Sequence, residues 1–177
     1  MIIGIAGKIG AGKDVIGVCL KDQYNYTVIK FADKIKQIAC LMTNTPMDLQ
    51  TSQKGKSSTL DDWGMTVREF QQKLGTDAVR DGLHKDAWVL ATLSHYKPTY
   101  NWVVTDTRFI NEAQRITKLG GINIRVERPN NPFPESKHPS ETELDSYRFD
   151  YTILNDGSID DLYLKINDIM ENNKKGI

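Results

Sequence analysis

The feature that most constrains the fold of this chain is a glycine-rich segment placed between an apolar run and a helical pattern. Residues 2–6 form a continuous apolar run, typical of a strand buried on both faces of a parallel sheet. Residues 7–13 follow and match the pattern G-x-x-x-x-G-K, and residues 15–20 then carry apolar side chains at helical spacing. Inward-facing backbone N–H groups and a helix N-terminus stabilise anions, so this order predicts a phosphate-binding loop in an α/β sheet.

Two details of the loop narrow its interpretation. A dinucleotide-binding fold would need its glycines in another order, and it would not explain Lys13. The hydroxyl residue that usually follows the lysine is absent, and Asp14 stands in its place. A carboxylate there can bind Mg²⁺ directly or through water, or it can simply stabilise the first helical turn through the macrodipole. Both alternatives stay open at this point.

Composition excludes several classes of protein. With 177 residues, 39% of them apolar and 26% charged, the chain suits one compact globular domain. Its 23 basic and 23 acidic side chains cancel, so a nucleic acid polymer is not the expected partner, and a small molecule is. Cys19 and Cys40 are too few for a disulfide framework, and no apolar stretch approaches membrane-spanning length. We therefore expect a cytoplasmic protein with no membrane partner; whether it forms a homodimer is left open.

Strand and helix patterns alternate along the rest of the chain. Further strands are predicted at residues 26–31, 101–105, 122–126 and 151–154, and helices at 32–42, from 66 onward, 86–96, 109–119 and from 159 onward. Thr66 with Glu69, and Ser158 with Asp161, have the spacing of helix caps. The polar residues 43–64 are expected to form a loop or a mobile insertion, and 127–148 a loop or lid. This alternation predicts a mainly parallel sheet of five strands, covered by helices on both sides.

Polar and charged residues follow each predicted strand. Ligands of such folds bind beyond the carboxyl ends of the strands, where Asp33, Asp106, Arg108, Arg128 and Asn155 would lie. Phosphoryl transfer needs charge neutralisation and alignment of two phosphates more than covalent help. These positions therefore indicate a phosphate-handling enzyme.

The chain resembles the deoxynucleoside monophosphate kinases of bacteriophages, within the P-loop nucleoside monophosphate kinase group. The resemblance covers nearly the whole length and is carried by residues 7–14, 31–36, 68–88, 106–112, 138–141 and 155–157. It implies a three-layer α/β P-loop kinase fold over residues 1–177, with a helical acceptor-binding insertion at 33–98 and a lid-like segment at 127–148. Val15 departs from the family pattern, which has a hydroxyl residue there.

The resemblance also implies an activity. The γ-phosphoryl group of ATP would pass to a deoxynucleoside 5′-monophosphate, giving the diphosphate and ADP, with Mg²⁺ required; a phage-encoded enzyme would act in the host cytoplasm. A P-loop kinase for another small phosphate ester, of the dephospho-coenzyme A or phosphomevalonate type, is the alternative. A nucleotide-hydrolysing switch is a further one, although the guanine-binding pattern Asn-Lys-x-Asp is absent.

Roles for individual residues follow from the resemblance and from this chemistry. The expected catalytic residues are Lys13, Asp106, Arg108 and Arg128, and the expected metal ligands are Asp14 and Asp106. ATP would contact Gly7, Lys8, Gly10, Ala11, Gly12, Lys13, Asp14, Val15, Asn155 and Gly157. The acceptor would contact Asp33, Lys36, Arg68, Arg80, Trp88, Arg108, His138 and Glu141.

Each of these roles has an ordinary structural alternative. Arg108 could instead pair with Asp106 or Glu112, and Asp106 could cap a helix. Trp63 and Trp88 could stack on the acceptor base, but burial in a core is the commoner fate of tryptophan.

Overall fold

A computed structural model describes residues 1–133 and 137–175 of the chain, with the side chains of 174 and 175 left out. Residues 134–136, in the middle of the predicted lid, lie outside the described residues. The chain divides into two compact units. The sheet unit comprises Met1–Lys30 and Tyr96–Ile177, and the helical unit comprises Phe31–His95.

The five strands of the main sheet alternate with helices as the sequence predicts. The strands are β1 (Ile2–Ala6), β2 (Thr27–Ile29), β3 (Thr59–Leu60), β4 (Met65–Thr66), β5 (Trp102–Thr107), β6 (Ile122–Glu127) and β7 (Tyr151–Leu154). The α-helices are α1 (Lys13–Tyr24), α2 (Ala32–Thr43), α3 (Met47–Thr51), α4 (Gln53–Lys56), α5 (Val67–Gln72), α6 (Ala87–Leu93), α7 (Ile110–Lys118), α8 (Pro139–Thr142) and α9 (Ile159–Lys175). A 3₁₀ turn spans Asp61–Trp63, and a π-helix spans Lys73–Asp81. The helices α3 and α4 and the short strands β3 and β4 were not predicted.

The sheet unit is built on a five-stranded sheet in the order β2-β5-β1-β6-β7. Every neighbouring pair in this sheet is parallel. β1 lies at the centre, which explains why its isoleucines are fully buried. The prediction of a parallel α/β sheet with five strands is confirmed.

Helices cover both faces of this sheet. On one face, Ile3 and Ile5 pack in a single core with Ile16 of α1 and Ile166 of α9. On the other face, Ala6 packs against Ala113 of α7. The sheet unit therefore has three layers, with the turns after β1, β5, β6 and β7 gathered at the carboxyl edge of the sheet.

The pairing of β1 with β5 contains a bulge. Gly4 pairs with Val104, but Ala6 pairs with Thr107, so two residues of β5 stand opposite one residue of β1. Those two residues are Thr105 and Asp106. Bulges of this kind are rare between parallel strands, and they redirect side chains next to active sites.

The helical unit has a core of its own, formed by Ala39, Leu60, Val67 and Phe70. Its helix α5 begins with the predicted capping box, since the Thr66 hydroxyl accepts a hydrogen bond from the Glu69 N–H at 3.2 Å. Capping interactions of this kind define the start of a helix. The expected start of α5 is therefore confirmed.

Of the two alternatives for residues 43–64, a loop or a mobile insertion, the loop is wrong. This stretch contains α3, α4, the strand β3 and the 3₁₀ turn. Several of its polar side chains form local hydrogen bonds: Ser52 accepts from the Gly55 N–H at 3.0 Å, and the fully buried Gln50 donates to Thr45 at 2.9 Å. The polar composition led to a prediction of irregular structure, because composition alone does not show which polar side chains bond to one another or to the nearby backbone.

Some predicted bounds also need correction. β5 continues to Thr107, beyond its predicted end at residue 105, so Asp106 lies in the strand and does not follow it. Helix α7 begins at Ile110 with Phe109 at its N-cap, which excludes a capping role for Asp106 there. In α9, Leu162, Ile166 and Ile169 are buried, whereas Ile159, the first residue of the helix, is 60% exposed.

Candidate active site

The turn after β1 has the geometry of a phosphate loop. Gly10 and Gly12 have φ angles of 76° and 109°, values that residues with a Cβ atom rarely adopt. Gly12 is the N-cap of α1 and carries no side chain, so the first N–H groups of the helix are open to an anion. The ammonium group of Lys13 donates to the carbonyl oxygens of Gly7 at 2.7 Å and of Lys8 at 2.9 Å.

Lys13 is only 9% exposed, and its electrostatic surroundings are unusual. Burial, reinforced by the positive charges of Arg108 and Lys30, lowers the pKa of Lys13 to about 8, while Asp14 and Asp106 act in the opposite direction. Buried cations without full compensation attract anions strongly. Lys13 is therefore placed to bind a polyanion such as a nucleotide phosphate.

Asp14, on the first turn of α1, is bonded from two sides. Its Oδ1 accepts a hydrogen bond from the Lys30 ammonium at 2.6 Å and from the Thr105 hydroxyl at 3.4 Å. Partial burial raises the pKa of Asp14, but the hydrogen bond and charge of Lys30, with Lys13 and Thr105, outweigh it and lower the pKa below its ordinary value. Asp14 is therefore an ionised carboxylate beside the loop.

The end of β5 presents an arginine held by two elements. The Arg108 backbone N–H donates to the buried carboxylate of Glu112 at 2.8 Å, which secures the turn into α7. Its guanidinium donates to the carboxylate of Glu141 and to the Ser140 carbonyl at 3.3 Å. His138 caps the same short helix, α8, since its Nδ1 accepts from the Ser140 N–H at 3.2 Å.

The residues after β6 and β7 bind the phosphate loop directly. Arg128 donates to the Gly10 carbonyl at 3.2 Å, and Asn131 donates to the Ile9 carbonyl at 2.7 Å. From the other side, the Asn155 amide donates to the Ala11 carbonyl at 2.7 Å. These bonds hold the loop's carbonyl groups, so that its N–H groups keep their orientation.

A charged network that the sequence analysis did not identify links the loop to β6. Lys8 donates to Asp145 at 2.6 Å and to the Glu141 carbonyl. Arg125 of β6 pairs with Glu127 at 2.8 Å, approaches Asp145 at 3.8 Å, and lies 5.7 Å over the ring of Phe149. Arg125, an arginine within the mainly apolar strand β6, was the sequence signal for this network. A charged side chain in such a strand needs polar partners from the surrounding fold.

Some of these groups line a cavity of about 760 Å³ in the sheet unit. Its lining comprises part of the phosphate loop, the ends of β1, β5, β6 and β7, and residues after β6: Ala6, Gly7, Lys8, Ile9, Ala11, Thr107, Arg108, Arg125, Val126, Glu127, Arg128, Pro129, Asn131, Phe133, Lys137, Ser140, Glu141, Thr142, Leu144, Asp145, Phe149 and Leu154. The volume is in the range of small-molecule sites.

The predicted acceptor residues of the helical unit have their own local partners. Asp33 and Lys36 form an ion pair at 3.1 Å, and Arg68 donates to Gln53 at 2.9 Å. Arg80 is 7% exposed and donates to the Lys85 carbonyl at 3.2 Å, while the buried Trp88 donates to the Gly75 carbonyl at 2.8 Å. Their roles toward an acceptor stay predictions.

Two further predicted residues lie in local packing. Val15 packs against the core that contains α1, so only its backbone is available to a phosphate. Gly157 belongs to the turn before α9, where a Cβ would come within 2.5 Å of Asp161, the residue that accepts from the Ser158 N–H at 2.8 Å. The sequence-predicted residues that the sheet unit does bring to one edge are the loop, Asp14, Asp106, Arg108, Arg128, Glu141 and Asn155.

The fold and this site define a P-loop kinase. The chain is similar in fold to shikimate kinase from Aquifex aeolicus, with a TM-score of 0.50, 13% identity and coverage of 100% of both chains. It is also similar to TT1252 from Thermus thermophilus, with a TM-score of 0.53, 15% identity and coverage of 97% of both chains. At these identities the likeness concerns the fold alone.

Sequence comparison identifies the family. The profile of the family described as deoxynucleotide monophosphate kinase matches residues 45–166. A protein of Acanthamoeba polyphaga mimivirus, provisionally named a deoxynucleotide monophosphate kinase, is 32% identical over 97% of each chain. This chain belongs to the deoxynucleotide monophosphate kinase family, and the predicted activity, transfer of a phosphoryl group to a deoxynucleoside monophosphate, is confirmed at that level.

Two phage enzymes of the same name are also similar. The deoxynucleotide monophosphate kinase of Escherichia phage RB69 is 33% identical over 62% of this chain, and that of Enterobacteria phage T4 is 30% identical over 63%. This chain spans about half the length of these two relatives, since the matches cover 46% and 47% of them. As a kinase of a nucleotide, the chain uses ATP and a small-molecule substrate.

No helix in the described part of the chain is both long enough and apolar enough to span a bilayer.

Proposed function

We propose that this chain transfers the γ-phosphoryl group of ATP to the 5′-phosphate of a deoxynucleoside monophosphate at the cavity of the sheet unit. One observation carries the proposal: the phosphate loop after β1 and Arg108 after β5 end neighbouring parallel strands and line the same cavity. Two phosphates must lie in line for the transfer, and two separate cationic groups at one edge can hold one phosphate each.

The donor side consists of the loop and Lys13. Backbone N–H groups of residues 10–14 and the N-terminus of α1 would bind the β- and γ-phosphates, and Lys13 would neutralise the charge that develops between them. Its carbonyl partners, Gly7 and Lys8, already place the ammonium group inside the loop. Asn155 would act by holding the loop, through its bond to Ala11, as well as by facing the nucleotide.

The carboxylates of Asp14 and Asp106 fit a magnesium-bound nucleotide. Among the described residues there is no group of three or more His, Cys, Asp and Glu side chains able to enclose a metal ion. Mg²⁺ in kinases needs no such enclosure, because it binds through one or two carboxylates, waters and the nucleotide's own phosphates. When bound, the ion neutralises phosphate charge. Asp14 on α1 would bind the ion directly or through a water molecule, and Asp106 on β5 would do the same from the strand.

The acceptor side centres on Arg108. Its guanidinium is planar and suited to bidentate phosphate binding, and Glu141 fixes its orientation. His138 would support this arrangement through the cap of α8. The helical unit, Phe31–His95, would serve as the acceptor-binding insertion. Its proposed acceptor-binding residues are Asp33, Lys36, Arg68, Arg80 and Trp88.

The segment after β6 would act as the lid. Arg128 contacts the loop at Gly10, close to where a transferred phosphoryl group would lie, and can stabilise its charge. We retain a small-molecule acceptor and no nucleic acid polymer as the expectation from the balanced charge.

A transfer assay tests the function directly. Purified protein with Mg²⁺ and ATP is offered each deoxynucleoside and ribonucleoside monophosphate in turn, with dephospho-coenzyme A as a further acceptor, and both diphosphate and free phosphate are measured. We expect diphosphate from at least one deoxynucleoside monophosphate. Free phosphate alone would indicate a hydrolase, and transfer only to dephospho-coenzyme A would indicate the alternative kinase.

A further inference from the structure

The phosphate loop of this chain lacks the hydroxyl group that such loops usually supply to the metal and its surroundings. Asp14 and Val15 occupy the positions where hydroxyl residues are expected. A hydroxyl group from another element nevertheless contacts the carboxylate of Asp14. Thr105 of β5, 1% exposed, donates from Oγ1 to Asp14 Oδ1 at 3.4 Å.

Thr105 lies in the bulge of β5, together with Asp106. Thr105 and Asp106 stand opposite Ile5 alone, between the pairs Gly4 with Val104 and Ala6 with Thr107. In a regular strand, successive side chains point to opposite faces. A bulge can redirect one of them. Here the Thr105 hydroxyl bonds Asp14, and the charge of Asp106 acts on the neighbouring Lys13, raising its pKa.

The contact between α1 and β5 is also built around Thr105. A Cβ on Gly17 would lie 2.6 Å from the Thr105 methyl carbon, so a glycine is required for the helix to approach this closely. The methyl group of Thr105 is thereby held against α1, and its hydroxyl is turned toward the first turn of the same helix.

The bonding pattern at Asp14 leaves room for a ligand. Within residues 1–133 and 137–175, both hydrogen bonds to this carboxylate, from Lys30 and Thr105, are made to Oδ1. The second oxygen, Oδ2, is therefore available. We propose that Thr105 is a positioning residue, which fixes the rotamer of Asp14 so that Oδ2 faces the magnesium of the bound nucleotide. This inference rests on the proposed function, in which Mg²⁺·ATP is the donor.

The test measures how much Mg²⁺ improves ATP binding. Binding of a non-hydrolysable ATP analogue to the full chain is measured by calorimetry in Mg²⁺ and in EDTA, and the ratio of the two dissociation constants is the magnesium gain. Residues that orient a metal ligand typically change metal affinity by about 10- to 100-fold. Thr105→Val, which keeps the shape and removes the hydroxyl, should lower the magnesium gain by about tenfold.

Two further variants separate positioning from packing. Thr105→Ser keeps the donor and should retain the magnesium gain within about threefold, even if the lost methyl group lowers the melting temperature. Thr117→Val is the matched control, because it removes a threonine hydroxyl that donates to Ala113 at 3.2 Å and accepts from Asn123 at 3.0 Å in α7. It should change stability and leave the magnesium gain as in the wild type.

The outcomes are distinct. An unchanged magnesium gain in folded Thr105→Val overturns the inference while leaving the proposed function intact. A wild-type chain that binds the analogue equally well with and without Mg²⁺ removes the metal part of the proposed function itself. If Thr105→Val does not fold, Thr105→Cys replaces it: the thiol has the shape of serine but donates weakly, so a gain equal to that of Thr105→Ser would overturn the inference.

Discussion

The guanidinium of Arg108 at the end of β5 is bonded to the carboxylate of Glu141 in α8, 33 residues further along the chain. The Glu141 side chain is only 12% exposed and that of Arg108 30%, so this pair is partly withdrawn from solvent. Partly buried ion pairs fix orientation more effectively than exposed ones. The proposed acceptor-binding arginine is therefore tied to the lid-like segment.

Replacing Arg108 should affect the acceptor more than ATP. A charged hydrogen bond contributes about 1.5 to 3 kcal/mol, so Arg108→Ala should raise the KM for the monophosphate by roughly 10- to 100-fold. The KM for ATP should change much less. Arg115→Ala, in α7 and outside the cavity lining, is the charge-matched control. Equal effects of Arg108→Ala on both substrates would assign Arg108 another role.

Loss of the loop lysine should abolish most turnover. Positioned charge on the transferring group supplies much of the catalysis, so Lys13→Ala should lower kcat by at least about 100- to 1,000-fold in a folded protein. Circular dichroism and a melting curve verify the fold. Near-normal turnover would contradict the central role of the loop.

The low pKa of Lys13 predicts a pH dependence of ATP binding. Because the pKa of this lysine is about 8 in the free protein, the ammonium form that binds phosphate is dominant below pH 8 and is lost as the pH rises. The affinity for ATP should be nearly constant from about pH 6.5 to 7.5 and then fall toward about tenfold per pH unit above pH 8. Calorimetry across this range provides the measurement. The same slope in Lys13→Ala would show that another group titrates.

Asp14 should make ATP binding depend on metal. Without a cation, its carboxylate repels a polyanion by about 1 kcal/mol per charge pair at 4 Å even in water. Chelating Mg²⁺ should therefore weaken ATP binding steeply, and Asp14→Ser should make metal-free binding tighter by roughly fivefold. If the variant loses stability but keeps the wild-type dependence on Mg²⁺, Asp14 acts only through the helix macrodipole.

Asn155 should matter for ATP through the shape of the loop. Its amide bond to the Ala11 carbonyl contributes about 0.5 to 1.5 kcal/mol, so Asn155→Ala should weaken ATP binding by about 2- to 10-fold and leave the KM of the monophosphate nearly unchanged. Asn167→Ala removes an amide that bonds Tyr24 on α9, away from the loop, and serves as the control. Loss of affinity for both substrates would point to a wider structural role.

Much of the fold could be predicted from the sequence because it depends on short-range patterns. The apolar run of β1, the glycines at 10 and 12 and the helical period of α1 are local properties, and they predicted the loop and its place after a central strand. The capping pairs Thr66 with Glu69 and Ser158 with Asp161 were predictable for the same reason.

The tertiary structure alone decided how the site is arranged. Arg125 with Asp145, Arg108 with Glu141 and Thr105 with Asp14 each join residues from different elements, and no local pattern states which partners the parallel crossovers bring together. The bulge in β5 could not be predicted from the sequence either, because it is a shift in pairing between two strands about 100 residues apart. Periodicity reports which face of an element is apolar, whereas the position of a charged side chain depends on how distant elements pack, and that is determined only when the whole core forms.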